Sequence, residues 1–166
     1  MARAASSRLM LRLGVSPWSD SRSTKSITEL PDSTRTAVEA AAAVGCSVAQ
    51  IVKSLVFRTL ESDEPVLVLA SGATRVDEGR VGAHLGEPVE KASAEFVRQR
   101  TGFSIGGVPP VGHSTALRTL VDERLGELAE LWAAAGTPHA VFPLTPADLR
   151  VLVPDATFLA LRVQES

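Results

Sequence analysis

The chain has 166 residues, a mass of 17.5 kDa and a formal charge of −2 at neutral pH. This length suits one domain with its own core, and 45% hydrophobic with 22% charged residues is typical of a globular protein. A single cysteine, Cys46, excludes an internal disulfide framework and a cysteine-based zinc site. The acidic balance and the 4% aromatic content argue against a protein that holds nucleic acid, DNA included, mainly by charge or base stacking.

The first 26 residues differ from the remainder. They contain five basic residues and one acid, a net charge of +4, so the other 140 residues carry −6. Their apolar stretches are too short for a secretory signal. No apolar stretch anywhere in the chain is long enough for a membrane-spanning helix, so we expect no membrane association. We predict a flexible basic extension over residues 1–26, ahead of a folded domain over residues 27–166. The alternatives are an organelle transit peptide and a start codon placed too far upstream.

The folded part mixes helices and strands. An alanine-rich segment predicts a helix over residues 34–44 that follows turn and cap residues at 31–33 and ends at Gly45. Residues 52–59 and 66–70 read as strands, and residues 76–85 and 93–100 as helices. Residues 117–121, 139–144 and 158–163 are further strands, and Thr145-Pro146 opens a short helix. Propensity alone favours a helix over residues 127–135. Without regular βαβ alternation, the class is α+β with a mixed sheet.

Lys53 is the first candidate for chemistry. It interrupts an apolar strand, and the two-residue period of a strand places it on the same face as Ile51, Leu55 and Phe57. A lysine in this setting either extends to solvent or supplies a fixed positive charge for a carbonyl oxygen or a phosphate. The pattern by itself favours extension to solvent.

The second candidate is the loop over residues 101–113, which contains four glycines and two prolines. Such a density predicts a specific loop shape whose backbone N–H groups can approach a ligand, although a tight turn packed on the sheet fits equally. Ser104 and His113 share the loop and are a candidate nucleophile and base. The Gly-x-Ser-x-Gly elbow and an acid partner are both missing, which argues against a serine hydrolase.

The lysine and the loop together are typical of one family. Four stretches carry the match: Gln50-Ile-Val-Lys-Ser-Leu-Val-Phe57, residues 66–72 with Arg75-Val-Asp77, residues 101–113, and Ala135-Gly136 with residues 144–149. From about residue 27 to residue 163 the chain resembles the YbaK and prolyl-tRNA-synthetase-associated editing domains, which deacylate mischarged tRNA. The family's Gly-x-x-x-Pro loop corresponds here to Gly106–Pro110.

The resemblance implies an α+β domain with a mixed, barrel-like β-sheet flanked by helices, and it places a strand rather than a helix over residues 131–136. It implies ester hydrolysis in trans on mischarged tRNA in the cytoplasm, with tRNA(Pro) as the candidate, and with no metal or cofactor. Its partners would be the acceptor end of the aminoacyl-tRNA and a delivering synthetase. Lys53 would be the catalytic residue. The substrate-binding residues would be Gly102, Ser104, Gly106, Gly107, Pro110 and His113.

The chain departs from the Cys-tRNA branch of this family in two places. His113-Ser114-Thr115 replaces a polar residue and two lysines, and Thr137-Pro138-His139 replaces an Arg-Gly pair. The amino acid removed therefore stays open. Two other functions also remain: a non-catalytic module that binds an aminoacyl group or a synthetase in the same pocket, and a small-ester hydrolase that uses Ser104 and His113.

Overall fold

A computed structural model describes residues 27–30 and 36–164. Four α-helices lie within these residues: α1 (Ala37–Val44), α2 (Glu78–Leu85), α3 (Ala94–Thr101) and α4 (Pro146–Leu152). The same part of the chain contains eight strands: β1 (Thr28–Glu29), β2 (Ile51–Thr59), β3 (Pro65–Ser71), β4 (Val89–Lys91), β5 (Arg118–Asp122), β6 (Leu131–Ala134), β7 (Ala140–Leu144) and β8 (Thr157–Leu159). Short 3₁₀ turns span Val48–Gln50 and Glu123–Glu127.

The strands form one mixed sheet. Its order is β1-β7-β6-β2-β3-β5-β8, and β4 pairs with β2 beside this path. β2 pairs antiparallel with β3 but parallel with β6, while β3, β5 and β8 are mutually parallel. All seven residues of β3 are buried, as expected for an apolar central strand. The predicted α+β class, with a mixed sheet and flanking helices, is confirmed.

The two faces of β2 pack against different clusters. Val52 and Val56 belong to the largest hydrophobic cluster, which contains Phe142. Ile51 packs with α1 residues, and Phe57 packs with Val81 of α2. Since side chains alternate along a strand, Lys53 shares the helix-covered face of the sheet with Ile51 and Phe57. This confirms the face that the sequence predicts for Lys53.

Local hydrogen bonds fix where the helices begin. The Thr36 side chain caps α1 by accepting a hydrogen bond from the Glu39 N–H. The Glu39 carboxylate in turn accepts a hydrogen bond from the Thr36 N–H. Thr145 and Asp148 form the same reciprocal pair at α4. Each pair satisfies two of the N–H groups that a helix start leaves open. The predicted cap at residues 31–33 and the extension at residues 1–26 lie outside the described residues.

Two sequence predictions need correction. The helix that propensity favours over residues 127–135 is wrong: Leu131–Ala134 form β6, as the family resemblance implies, because Leu131 and Ala133 are buried in the main cluster and pairing with β7 outweighs helix propensity. The last strand pairs only over Thr157–Leu159, and beyond it one isolated bridge joins Arg162 to Val76. The short strands β1 and β4 were not predicted, since two or three residues carry no measurable periodicity.

No helix among residues 27–30 and 36–164 has the length and apolar character needed to cross a membrane.

Gly72 directly follows β3 and packs against the 3₁₀ turn that precedes β2. A Cβ at Gly72 would lie 2.5 Å from the Val48 carbonyl oxygen and 2.8 Å from the Ala37 Cβ. We expect Gly72→Ala to lower the free energy of unfolding by about 1–3 kcal/mol, because the overpacked backbone has to shift. Gly126→Ala is the matched control, since nothing lies within 4 Å of its added Cβ. Urea unfolding followed by circular dichroism measures both, and equal stability of the two variants would contradict this packing.

Candidate functional site

A cavity of about 260 Å³ opens where β2 and β6 stop pairing. The parallel pairing of these strands is limited to Ile51 with Trp132 and Val52 with Ala133. Beyond these pairs the two strands separate. The space between them is lined on one side by Lys53, Ser54 and Leu55, and on the other by Ala134, Thr137 and Pro138. Because the strands separate here, five consecutive residues of β2, 51–55, border the same cavity.

Helix α1 and the glycine-rich loop complete the cavity wall. The start of α1 contributes Thr36, Ala37 and Ala40, and the loop contributes Ile105, Gly106 and Val108. The lining is mostly apolar, and Lys53 is its one charged residue among those the structure describes. The volume lies below the roughly 300–1,000 Å³ of sites for drug-sized ligands, so the cavity suits a small group.

The Lys53 ammonium is held in place. Its Nζ donates a hydrogen bond of 2.6 Å to the carbonyl oxygen of Thr74, in the connection between β3 and α2. The side chain is half-buried, and this burial, followed by repulsion from Lys91, lowers the pKa of Lys53 below the ordinary lysine value. An ammonium has three donors, so two remain for other partners. The extension into solvent that the pattern favours is therefore only partial.

The loop turns tightly at the cavity mouth. The Gly107 N–H donates to the Ser104 carbonyl oxygen at 3.0 Å, and Gly106 has a φ of +89°, which favours glycine. Ile105 stands at the tip of this turn and is 58% exposed. Gly107 packs closely on the connection between β6 and β7. A Cβ added at Gly107 would lie 2.8 Å from the Thr137 backbone. The loop thus presents Ile105 and Gly106 to the cavity.

The remaining predicted site residues lie elsewhere. Pro110 and His113 line a second cavity, of about 630 Å³, between residues 110–119 and residues 152–157. The His113 Nε2 lies 2.7 Å from the Pro109 carbonyl oxygen, and its ring meets Phe103 edge-on at 6.2 Å. Gly102 ends α3 with a φ of +81°, and Ser104 is exposed. The structure therefore brings Lys53 and Gly106 together, with Gly107 behind them.

Sequence reasoning missed several residues of the cavity. Ser54 was overlooked although it is a hydroxyl within an apolar strand, which is the kind of signal that Lys53 also gave. Trp132 was hidden by the helix prediction over residues 127–135. The contribution of Thr36 and Ala37 carries no sequence signal, because it depends on how α1 packs on the sheet.

Within the described part of the chain, neither Cys46 nor a cluster of metal ligands offers a second reactive centre. Burial, and secondarily the charge of Glu130, raises the pKa of the Cys46 thiol, which disfavours the nucleophilic thiolate. Across the described ranges, no three His, Cys, Asp or Glu side chains cluster as metal ligands.

Comparison with known proteins gives the family. The model of the aminoacyl-tRNA editing domain matches residues 31–152, and the chain therefore belongs to this family. The uncharacterized protein YwhH of Bacillus subtilis (strain 168) is 32% identical over 74% of this chain and 78% of its own length. The proline–tRNA ligase of Limosilactobacillus fermentum is 36% identical over 52% of this chain, which corresponds to only 16% of the ligase.

A solved structure supports the same family. A crystal structure described as a proposed trans-editing enzyme for prolyl tRNA synthetase superposes with a TM-score of 0.82. Its sequence is 43% identical, and the match covers 96% of this chain and 98% of that one. The likeness confirms the predicted resemblance and the YbaK-like fold.

The packing of the loop on the Thr137 backbone is testable without a substrate. We expect Gly107→Ala to shift the amide resonances of residues 105–108, Thr137 and His139, and to lower the free energy of unfolding by about 1–3 kcal/mol, because backbone has to move away from the new methyl group. Amide resonances of α2 are the internal reference. Shifts confined to residue 107 and its chain neighbours would mean that the loop does not rest on this connection.

Proposed function

We propose that this protein is an aminoacyl-tRNA deacylase that acts in trans, and that the cavity beside Lys53 receives the aminoacyl group. The observation that supports this most is a half-buried ammonium, held by a carbonyl oxygen, at the wall of a small apolar cavity in a chain of the editing family. An editing site needs a cavity that admits small aminoacyl groups and a charge that fixes the reacting ester.

The reaction breaks the ester bond between the amino acid carbonyl carbon and the terminal ribose oxygen. Water supplies the oxygen that completes the amino acid, and the ribose oxygen regains a proton. In this proposal the Lys53 ammonium orients the ester, either by polarising its carbonyl oxygen or by binding the terminal phosphate. The backbone at Gly106 shapes the mouth of the cavity, and a hydroxyl of the terminal ribose assists the attacking water.

The tRNA is proposed to be tRNA(Pro). Support comes from the match to a proline–tRNA ligase and from the neighbour described as a proposed trans-editing enzyme for prolyl tRNA synthetase. The net charge of −2 gives no general attraction to nucleic acid, so the protein is proposed to bind only the acceptor end, with a synthetase delivering the tRNA in the cytoplasm.

Lys53→Ala is expected to lower single-turnover deacylation by about 100-fold or more, because removing one preorganised electrostatic contact to the reacting group costs about this much. Lys91→Ala is the matched control, since it removes an exposed lysine from the neighbouring strand β4. The assay uses tRNA(Pro) charged with Ala, Cys, Ser, Thr or Pro, and circular dichroism verifies that both variants fold.

Undiminished deacylation by Lys53→Ala would contradict the role of Lys53. If wild type hydrolyses none of the five esters, even with prolyl-tRNA synthetase present, the deacylase proposal fails. Retained binding of charged tRNA would then favour the non-catalytic module.

The pH dependence follows from the lowered pKa of Lys53. The charged form is the active form, so the enzymatic rate, corrected for spontaneous hydrolysis, should fall as pH rises through the Lys53 pKa. This fall should occur below the ordinary lysine value of about 10.4. Lys91→Ala removes the repelling charge and should move the fall to higher pH. A rate that declines at the same pH in wild type and in Lys91→Ala would contradict this coupling.

A further inference from the structure

Asp122, the last residue of β5, has a fully buried side chain that the proposed mechanism does not use. Its Oδ1 accepts a hydrogen bond of 3.1 Å from the Leu161 N–H. Its Oδ2 is enclosed by the protein and makes no hydrogen bond to any described residue. A buried carboxyl oxygen without a partner is costly, and native proteins pair most such groups. The bond to Leu161 therefore indicates where the role of Asp122 lies.

Leu161 belongs to residues 160–163, here called the β8 extension, which run beside the connection between β3 and α2. The Asp77 N–H donates to the Leu161 carbonyl oxygen at 2.7 Å, and the Val163 N–H donates to the Arg75 carbonyl oxygen at 2.9 Å. These two bonds lie on either side of the isolated antiparallel bridge. The Leu161 side chain is fully buried. The extension is thus anchored in the core while its backbone pairs with the connection.

The connection carries Thr74, whose carbonyl oxygen accepts the hydrogen bond from Lys53. Before this carbonyl, the Thr74 N–H donates to the Ser71 carbonyl oxygen at 2.9 Å. After it, Arg75 is held by the β8 extension. The Thr74 hydroxyl is buried and makes no hydrogen bond within the described residues, so it does not help to fix the carbonyl. The acceptor that orients Lys53 is therefore held between the end of β3 and the β8 extension.

We propose that Asp122 is a positioning residue for Lys53 and acts through the β8 extension and the Thr74 carbonyl. Asp122 fixes the Leu161 N–H, and the extension in turn fixes residues 75–77. Their backbone then sets where the Thr74 carbonyl meets the Lys53 ammonium. Asp122 does not line the cavity, so it has no contact with substrate. Only the effect on the rate rests on the proposed deacylase function.

The first experiment compares two variants of Asp122. Asp122→Asn keeps an oxygen that can accept from the Leu161 N–H, whereas Asp122→Ala removes it. Asp122→Ala should shift the NMR resonances of the Thr74 carbonyl carbon and the Lys53 Nζ. It should also lower single-turnover deacylation about tenfold, because a displacement of about 1 Å at the reacting centre can cost about 100-fold. Asp122→Asn should keep both resonances and most of the rate.

Val163→Pro tests the same connection from the protein surface, without touching the buried carboxyl group. Val163 is exposed, and proline at this position removes the N–H that binds the Arg75 carbonyl oxygen. We expect the Thr74 and Lys53 resonances to shift and the rate to fall. Gln164→Pro is the matched control, since the exposed Gln164 has an N–H that makes no backbone hydrogen bond in the described part of the chain. It should leave the resonances and the rate unchanged.

Thr59→Val separates positioning from a general loss of stability. Thr59 lies far along β2 from Lys53, and its buried hydroxyl pairs with Ser62 and the Glu64 N–H. Losing these bonds should lower the midpoint of urea unfolding. The Thr74 and Lys53 resonances and the rate should stay as in wild type.

Three results would overturn the proposal. One is unchanged Thr74 and Lys53 resonances in both Asp122→Ala and Val163→Pro. Another is an equal loss of rate in Asp122→Ala and Asp122→Asn, or in the two proline variants. The third is shifted resonances with an undiminished rate. A wild type that hydrolyses no ester ends the deacylase proposal alone, and the resonances then decide whether Asp122 positions Lys53.

Discussion

The site depends on one interaction, the hydrogen bond from the Lys53 ammonium to the Thr74 carbonyl oxygen. A half-buried charge on a central strand is unfavourable, as the lowered pKa of Lys53 reflects. The bond compensates part of this cost and fixes the direction of a flexible side chain. The ammonium keeps two donors, so it can be held by the protein and also meet a ligand. A hydrophobic residue at this position would avoid the cost of a half-buried charge, but it would offer a ligand no such contact.

The cavity next to Lys53 exists because the sheet is incomplete at this point. β2 and β6 share only two paired positions, and their separation opens the space that Lys53 borders. Helix α1 covers one side of this space. The loop covers another, and it can lie there because Gly107 leaves room for the Thr137 backbone. The size of the cavity and its charge are thus set by different elements: the packing of α1 and the loop sets the size, and Lys53 supplies the charge.

The sequence predicted the parts of the site that rest on local pattern. Lys53 was found because a charge interrupts an apolar strand, and the loop because glycine and proline concentrate there. Pro110 and His113 share the loop in sequence, yet they line the second cavity, whereas Gly106 and Val108 line the first. Which cavity each loop residue lines depends on tertiary packing and has no sequence signal. Residues 127–135 were misread from propensity alone, because burial of Leu131 and Ala133 decides their structure.

The central claim is that the aminoacyl group binds beside Lys53 and not in the larger cavity beside His113. The most direct test is an NMR titration with a non-hydrolysable 3′-seryl-amino-adenosine, following the Lys53 Nζ, the Trp132 indole and the His113 ring. The account predicts saturable shifts at Lys53 and Trp132, with His113 unchanged. Saturable shifts at His113, with Lys53 and Trp132 unchanged, would contradict it and move the site to the second cavity.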